Sequence, residues 1–143
     1  MCKAINVPYS MRNGIETAVG RYIAANYRSA VEVGFGGKTT AAEIVQNAGI
    51  PVLCTDVHAY AEGPVPSVVD DCVEPTISLY QAAGVIYAIR PGTEIVPALI
   101  ELATRINADL IVYHLGFELY ENGGERIVTD GVMLHRYVKA HQE

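Results

Sequence analysis

Between residues 29 and 114 the sequence alternates strand-length apolar runs with stretches of helical periodicity, and few folds accommodate that pattern. Ser29–Val33, Pro51–Thr55, Pro64–Val69, Val85–Ile89 and Asp109–His114 have the length and β-branched content of buried strands. Thr39–Asn47, Pro75–Ala83 and Glu94–Ile106 lie between them as helices, the first closed by Gly49 and the second opened by a proline. Strands that alternate with helices pair in parallel, because parallel neighbours need a long right-handed crossover. Ahead of this core, Ile15, Ala18, Val19, Tyr22 and Ile23 recur at helical spacing, so Asn13–Tyr27 is expected to be an amphipathic helix.

The tail breaks the alternation. Phe117–Tyr120 and Arg126–Thr129 flank Glu121-Asn122-Gly123-Gly124, which reads as a hairpin with Asn-Gly supplying the positive φ angles. Val132–Val138 alternates apolar and polar residues and forms one more strand, or continues the last one after a kink at Asp130-Gly131. The expected fold is α/β, a three-layer Rossmann-type sandwich whose mostly parallel sheet is closed by C-terminal antiparallel strands. No repeat, low-complexity tract or linker marks a boundary, so residues 1–143 are expected to form one domain.

Composition narrows the function. Half of the residues are hydrophobic, which argues against disorder, yet no apolar run is long enough to span a bilayer. The N-terminal residues lack the apolar stretch of a signal peptide, and a soluble cytoplasmic protein is the default expectation. Cys2, Cys54 and Cys72 are widely spaced and in no CxxC arrangement, so neither a disulfide framework nor a structural metal site is expected. With net charge −6 and no basic cluster, nucleic acid is not expected as a main partner. A small sheet with a hairpin edge invites pairing with a second copy or another protein.

The chemistry concentrates in Val31-Glu32-Val33-Gly34-Phe35-Gly36-Gly37-Lys38-Thr39, which ends a strand and opens a helix. Glycines at such a turn let the backbone bend sharply and approach a ligand. Asp56 follows Gly34 by 22 residues, at the end of the second strand, where an acid would accept hydrogen bonds from ribose hydroxyls. Asp70 and Asp71 end the third strand, within reach of an adenine, and Arg90-Pro91-Gly92 follows the fourth. These positions share the crevice at the carboxyl ends of parallel strands where open α/β sheets bind ligands.

The P-loop pattern fails, because Glu32 stands where its first glycine belongs, and the dinucleotide pattern fails at Thr39. A carboxylate at Glu32 sits poorly beside a pyrophosphate and well beside an ammonium group, which favours S-adenosylmethionine. Glu32, Gly34 and Gly36 resemble the first motif of class I methyltransferases, acidic–x–Gly–x–Gly–x–Gly, with Lys38 replacing the last glycine and Gly37 partly compensating. That resemblance implies Glu32 holding the methionine ammonium through water or backbone, Asp56 on the ribose and Asp71 on the adenine edge. More closely, Val31–Gly34, Thr55–Val57, Asp70-Asp71 and Ile89–Pro91 resemble the VEVG, TDV, DD and IRP pattern of a small, mostly archaeal, uncharacterised family with a methyltransferase-like Rossmann fold.

Three functions follow: an S-adenosylmethionine-dependent methyltransferase of unknown substrate, a non-catalytic nucleotide- or cofactor-binding module of a larger assembly, and an NAD-binding protein. Lys38, His58 and Arg90 are candidates for the substrate or the rim. Lys38 would face an anion, His58 would serve as a base, and Arg90 would face a ligand anion or an acid such as Asp71. Solvated loop residues and a rim salt bridge are the plain alternatives. His114 ends the fifth strand at the same crevice edge, while His135 and His141, in the tail, are given no role. Tyr9, Tyr22 and Tyr27 would cover a cofactor or simply pack. Cys72 follows two acids that raise a thiol's pKa and is no nucleophile.

Overall fold

The computed structural model describes residues 7–116 and 118–141, with side chains in the first helix from Gly14 onward. Tyr9 as a cover therefore lies outside the described side chains. The elements are α1 (Val7–Asn26), β1 (Ala30–Val33), α2 (Thr40–Asn47), β2 (Val52–Asp56), β3 (Ser67–Val69), β4 (Val85–Ile89), α3 (Val96–Ile106), β5 (Asp109–Tyr113), β6 (Glu125–Thr129) and β7 (Val132–Val138). They build one seven-stranded sheet in the order β3-β2-β1-β4-β5-β7-β6. The first five strands are parallel, β7 runs antiparallel to β5, and β6 runs antiparallel to β7. Among the described residues, no helix is long and apolar enough to cross a membrane.

Helices on both faces make three layers, and the strands' period of two assigns each residue to a face. Ala30, Cys54, Tyr87 and Ile111 pack with Val19 and Ile23 of α1 and Ala42 and Val45 of α2. Val31, Val33, Ile86 and Val112 pack with Leu99 and Leu102 of α3 on the other side. All four residues of β1 are buried, as a central parallel strand requires.

Two expected elements differ. The helix over Pro75–Ala83 is only a 3-10 turn at Ile77–Leu79. Asp70 explains this: its carboxylate accepts the Thr76 N–H and, at 2.7 Å, the hydroxyl of fully buried Tyr80, drawing the segment into a tight turn. The hairpin does not turn at Asn122-Gly123. It turns at Asp130-Gly131, which joins β6 to β7 and whose φ angles of 49° and 75° match the type I′ requirement. Glu121, Gly123 and Gly124 also have positive φ, but they shape a loop before β6. Elsewhere the expected ends shift by a residue or two; β3 starts only at Ser67, and α3 at Val96 after a 3-10 turn over Thr93–Ile95.

Candidate functional site

The chain leaves β1 at Gly34, whose N–H donates to the Thr55 carbonyl at 2.7 Å and whose φ is 72°. Gly36 and Gly37 also have positive φ, 63° and 78°, so the turn uses the freedom that only glycine has cheaply. Asp56, 8% exposed at the end of β2, fastens this turn. One carboxylate oxygen accepts the Gly36 N–H at 2.9 Å, the other the His58 N–H at 3.0 Å. An ionised carboxylate offers about four acceptor sites, so two remain for a ligand. Tyr60 lies over the turn: a Cβ on Gly37 would stand 2.9 Å from its ring, which also meets Phe35 edge-on at 5.2 Å. Beside Tyr60 and His58, toward β3, is a cavity of about 50 Å³. That is room for a few waters rather than a purine.

Glu32 and Glu16 give the site its charge. Glu32 is 3% exposed on the α1 side of β1, between Cys54 and Tyr87 of the neighbouring strands. Burial pushes its carboxyl up to about 8; the nearby Tyr87 hydroxyl opposes this and the Glu16 charge adds to it. Among the described residues, neither Glu32 Oε1 nor the Tyr87 hydroxyl has a hydrogen-bond partner. Glu16, on α1, is equally buried and accepts from Arg90 Nη1 at 2.7 Å, with Lys38 Nζ at 3.6 Å. Burial alone would raise the Glu16 carboxyl, but the hydrogen bond and charge of Arg90, with Lys38 adding, hold it below its ordinary value. Arg90, with φ 56°, also lies over the Tyr113 ring at 5.7 Å.

The structure thus brings Glu32, Gly34, Gly36, Gly37, Lys38, Asp56 and the backbone of His58 together at the carboxyl ends of β1 and β2, with Arg90 joined to them through Glu16. Arg90 faces Glu16 rather than Asp71, so the rim salt bridge is present with an unforeseen partner. Asp71 is exposed and accepts the Val73 N–H at 2.9 Å, while Asp70 is the acid tied into the fold. Tyr27 packs away from the crevice, its hydroxyl donating to Asp109 at the start of β5. No group of three or more His, Cys, Asp or Glu among the described residues could hold a metal ion.

Sequence reasoning missed Glu16, Tyr60 and His135. Far from being a bystander in the tail, His135 is 5% exposed and meets His114 with ring centroids 5.2 Å apart. Both line a cavity of about 720 Å³ between α1, the end of β5 and the β6–β7 hairpin. His114 Nε2 lies 2.6 Å from the Tyr137 hydroxyl, and burial, with the neighbouring His135 ring adding to it, lowers its pKa. The only sequence signal for this pairing was the place of His135 in an alternating strand.

The solved structures that the chain resembles include an S-adenosylmethionine-dependent methyltransferase from Archaeoglobus fulgidus, with TM-score 0.57 and 16% identity over 76% of this chain and 56% of that one. The chain thus spans little more than half of that enzyme. A protein described as a zinc-dependent alcohol dehydrogenase from Rhodobacter sphaeroides matches with TM-score 0.51 and 12% identity over 75% and 55%. At such identities the likeness establishes the methyltransferase-like Rossmann fold alone. In sequence, a UPF0146 protein of Archaeoglobus fulgidus is 36% identical over 96 residues, 66% of this chain and 74% of that protein. The profile of the uncharacterised protein family UPF0146 matches residues 15–138, and the chain belongs to that family.

Proposed function

We propose that the chain binds S-adenosylmethionine in the crevice formed by the carboxyl ends of β1, β2 and β4. The observation that carries this is Glu32: a buried carboxyl with an unpartnered oxygen, beside a glycine turn, asks for a cation. The methionine ammonium supplies one. A pyrophosphate would bring like charge to the same place, which disfavours NAD. Asp56, held by two backbone N–H groups, keeps acceptor capacity for the ribose hydroxyls. Asp71 lies at the end of β3 for the adenine edge, and the adenine enters by displacing Tyr60 from Gly37. The methyltransferase name of a structural relative supports the same cofactor. Methyl transfer to an acceptor that the site does not name is the matching reaction, since it needs chiefly alignment and exclusion of water.

A cofactor-binding module without chemistry is the second reading. It is favoured by the commitment of Arg90 and Lys38 to Glu16, which leaves the fourth-strand end latched rather than open to a substrate.

Calorimetric titration with S-adenosylmethionine, S-adenosylhomocysteine and NAD tests the proposal. Binding of both adenosyl compounds at micromolar affinity, with NAD at least about a hundredfold weaker, is the expected result. Tighter NAD binding, or none by any of the three, rejects it. Formation of S-adenosylhomocysteine with candidate acceptors then separates enzyme from module.

A further inference from the structure

The cavity between α1, β5 and the hairpin has features of a built site that the crevice account does not use. Its volume, about 720 Å³, falls within the range of small-molecule pockets. Its wall is mostly apolar, from Ile15, Leu119, Val132 and Met133, with the Tyr113 ring beside them. Two imidazoles, His114 and His135, both 5% exposed, bring ring nitrogens to it; His114 Nε2 is taken by the Tyr137 hydroxyl and its Nδ1 is buried without a partner among the described residues. His135 Nδ1 lies 2.8 Å from the Gly123 carbonyl, which can only accept, so Nδ1 carries the proton and Nε2 of the neutral ring keeps its lone pair. Among the described residues Nε2 has no hydrogen-bond partner.

The Asn122-Gly123 turn explains how the ring is fixed. Gly123 has φ 85°, and a Cβ there would stand 3.1 Å from His135 Nδ1. Gly124 has φ 63° and packs so closely on β7 that a Cβ would be 2.6 Å from the Arg136 carbonyl. The Gly124 N–H is held by the Asn122 side chain at 2.9 Å. A sequence that would serve as a hairpin turn is used here to press a carbonyl against one histidine nitrogen and fix its tautomer.

An open acceptor selects a donor. The donor should be neutral, because Arg126 on the same wall repels an ammonium and Asp130 is engaged by Arg21 at 3.7 Å. The Tyr113, His114 and His135 rings on the wall, with the Met133 thioether, favour an aromatic body over an aliphatic one. We propose that this cavity binds a small phenolic compound, its hydroxyl donating to His135 Nε2 and its ring lying among Ile15, Leu119, Val132 and Met133. Arg126 at the wall accommodates an acidic substituent. The site shares no lining residue with the glycine turn.

The test uses the full chain and two probes, 4-hydroxyphenylacetate and phenylacetate, followed by calorimetry and by nitrogen NMR of the histidine rings. The hydroxyl compound is expected to bind at least about tenfold more tightly. Its binding should shift the His135 Nε2 resonance, and phenylacetate should not. In His135→Phe the preference disappears while phenylacetate affinity stays within about threefold. His135→Gln, which can donate to the Gly123 carbonyl and still accept, retains part of it. Equal affinities, absence of binding, or an unmoved His135 resonance in the wild-type chain would overturn the proposal, even if the phenylalanine variant fails to fold.

Discussion

Glu32 shows how one residue's burial sets a measurable property. Its carboxyl is pushed up to about 8 in the folded chain, against 4.5 as its ordinary value. Between those pH values the folded state holds a proton that the unfolded state has released. Its contribution to stability is therefore full below about pH 4.5 and is lost as pH rises towards 8. Glu32→Gln should remove this slope, leaving the variant progressively more stable than the wild type as pH rises from 5 to 8. Urea midpoints at several pH values read this directly, and parallel curves would show that Glu32 is not buried as described. The residue was legible in the sequence because the acid and the glycines are contiguous. Its partners were not: Glu16 and Tyr87 come from α1 and β4, and nothing in a linear pattern announces that two acids will meet under one helix.

At the scale of elements, α1 is latched to the crevice. Glu16 joins it to Arg90 after β4 and to Lys38 in the glycine turn, three segments distant in sequence. Removing one partner of a fully buried pair costs about 3–5 kcal/mol. Here the Arg90 and Lys38 side chains are 30% and 62% exposed, so solvent screening brings the expected loss for Glu16→Ala to about 1–2 kcal/mol. Arg90→Ala should cost a similar amount and the double variant hardly more, with hydrogen exchange accelerated in α1 in each case. Additive losses would mean that the bridge couples nothing. The tail teaches a related lesson. Positive φ was legible for Gly123 but not for Asn122, whose expected place is taken by Glu121, and such a requirement is shared by hairpins and loops. The choice between them was made by Asp130-Gly131, two consecutive positive-φ positions lying between strands that pair antiparallel from Thr129 and Val132 onward.

For the whole molecule, the alternating core was legible because periodicity reports burial directly, and a parallel sheet buried on both faces leaves little freedom. The order of the strands at the C-terminal edge was not, since it depends on which partner β7 chooses. That choice places β7 beside β5 and so brings His135 to His114, creating a large cavity next to the crevice. The same sheet therefore carries the glycine turn and this cavity side by side, with Ile15 of α1 lining the cavity and the next residue, Glu16, bonded to Arg90. The central claim concerns the first of them, an adenosyl cofactor whose ammonium meets Glu32.

That claim is tested most directly by titrating S-adenosylhomocysteine into the chain at pH 6 and pH 7, in buffers of different ionisation heat. A carboxyl held near 8 is neutral there, and an arriving ammonium should ionise it. The account predicts release of about one proton on binding, affinity that rises towards tenfold from pH 6 to pH 7, and loss of both effects in Glu32→Gln. Binding with no proton exchange, or no binding at all, would contradict it.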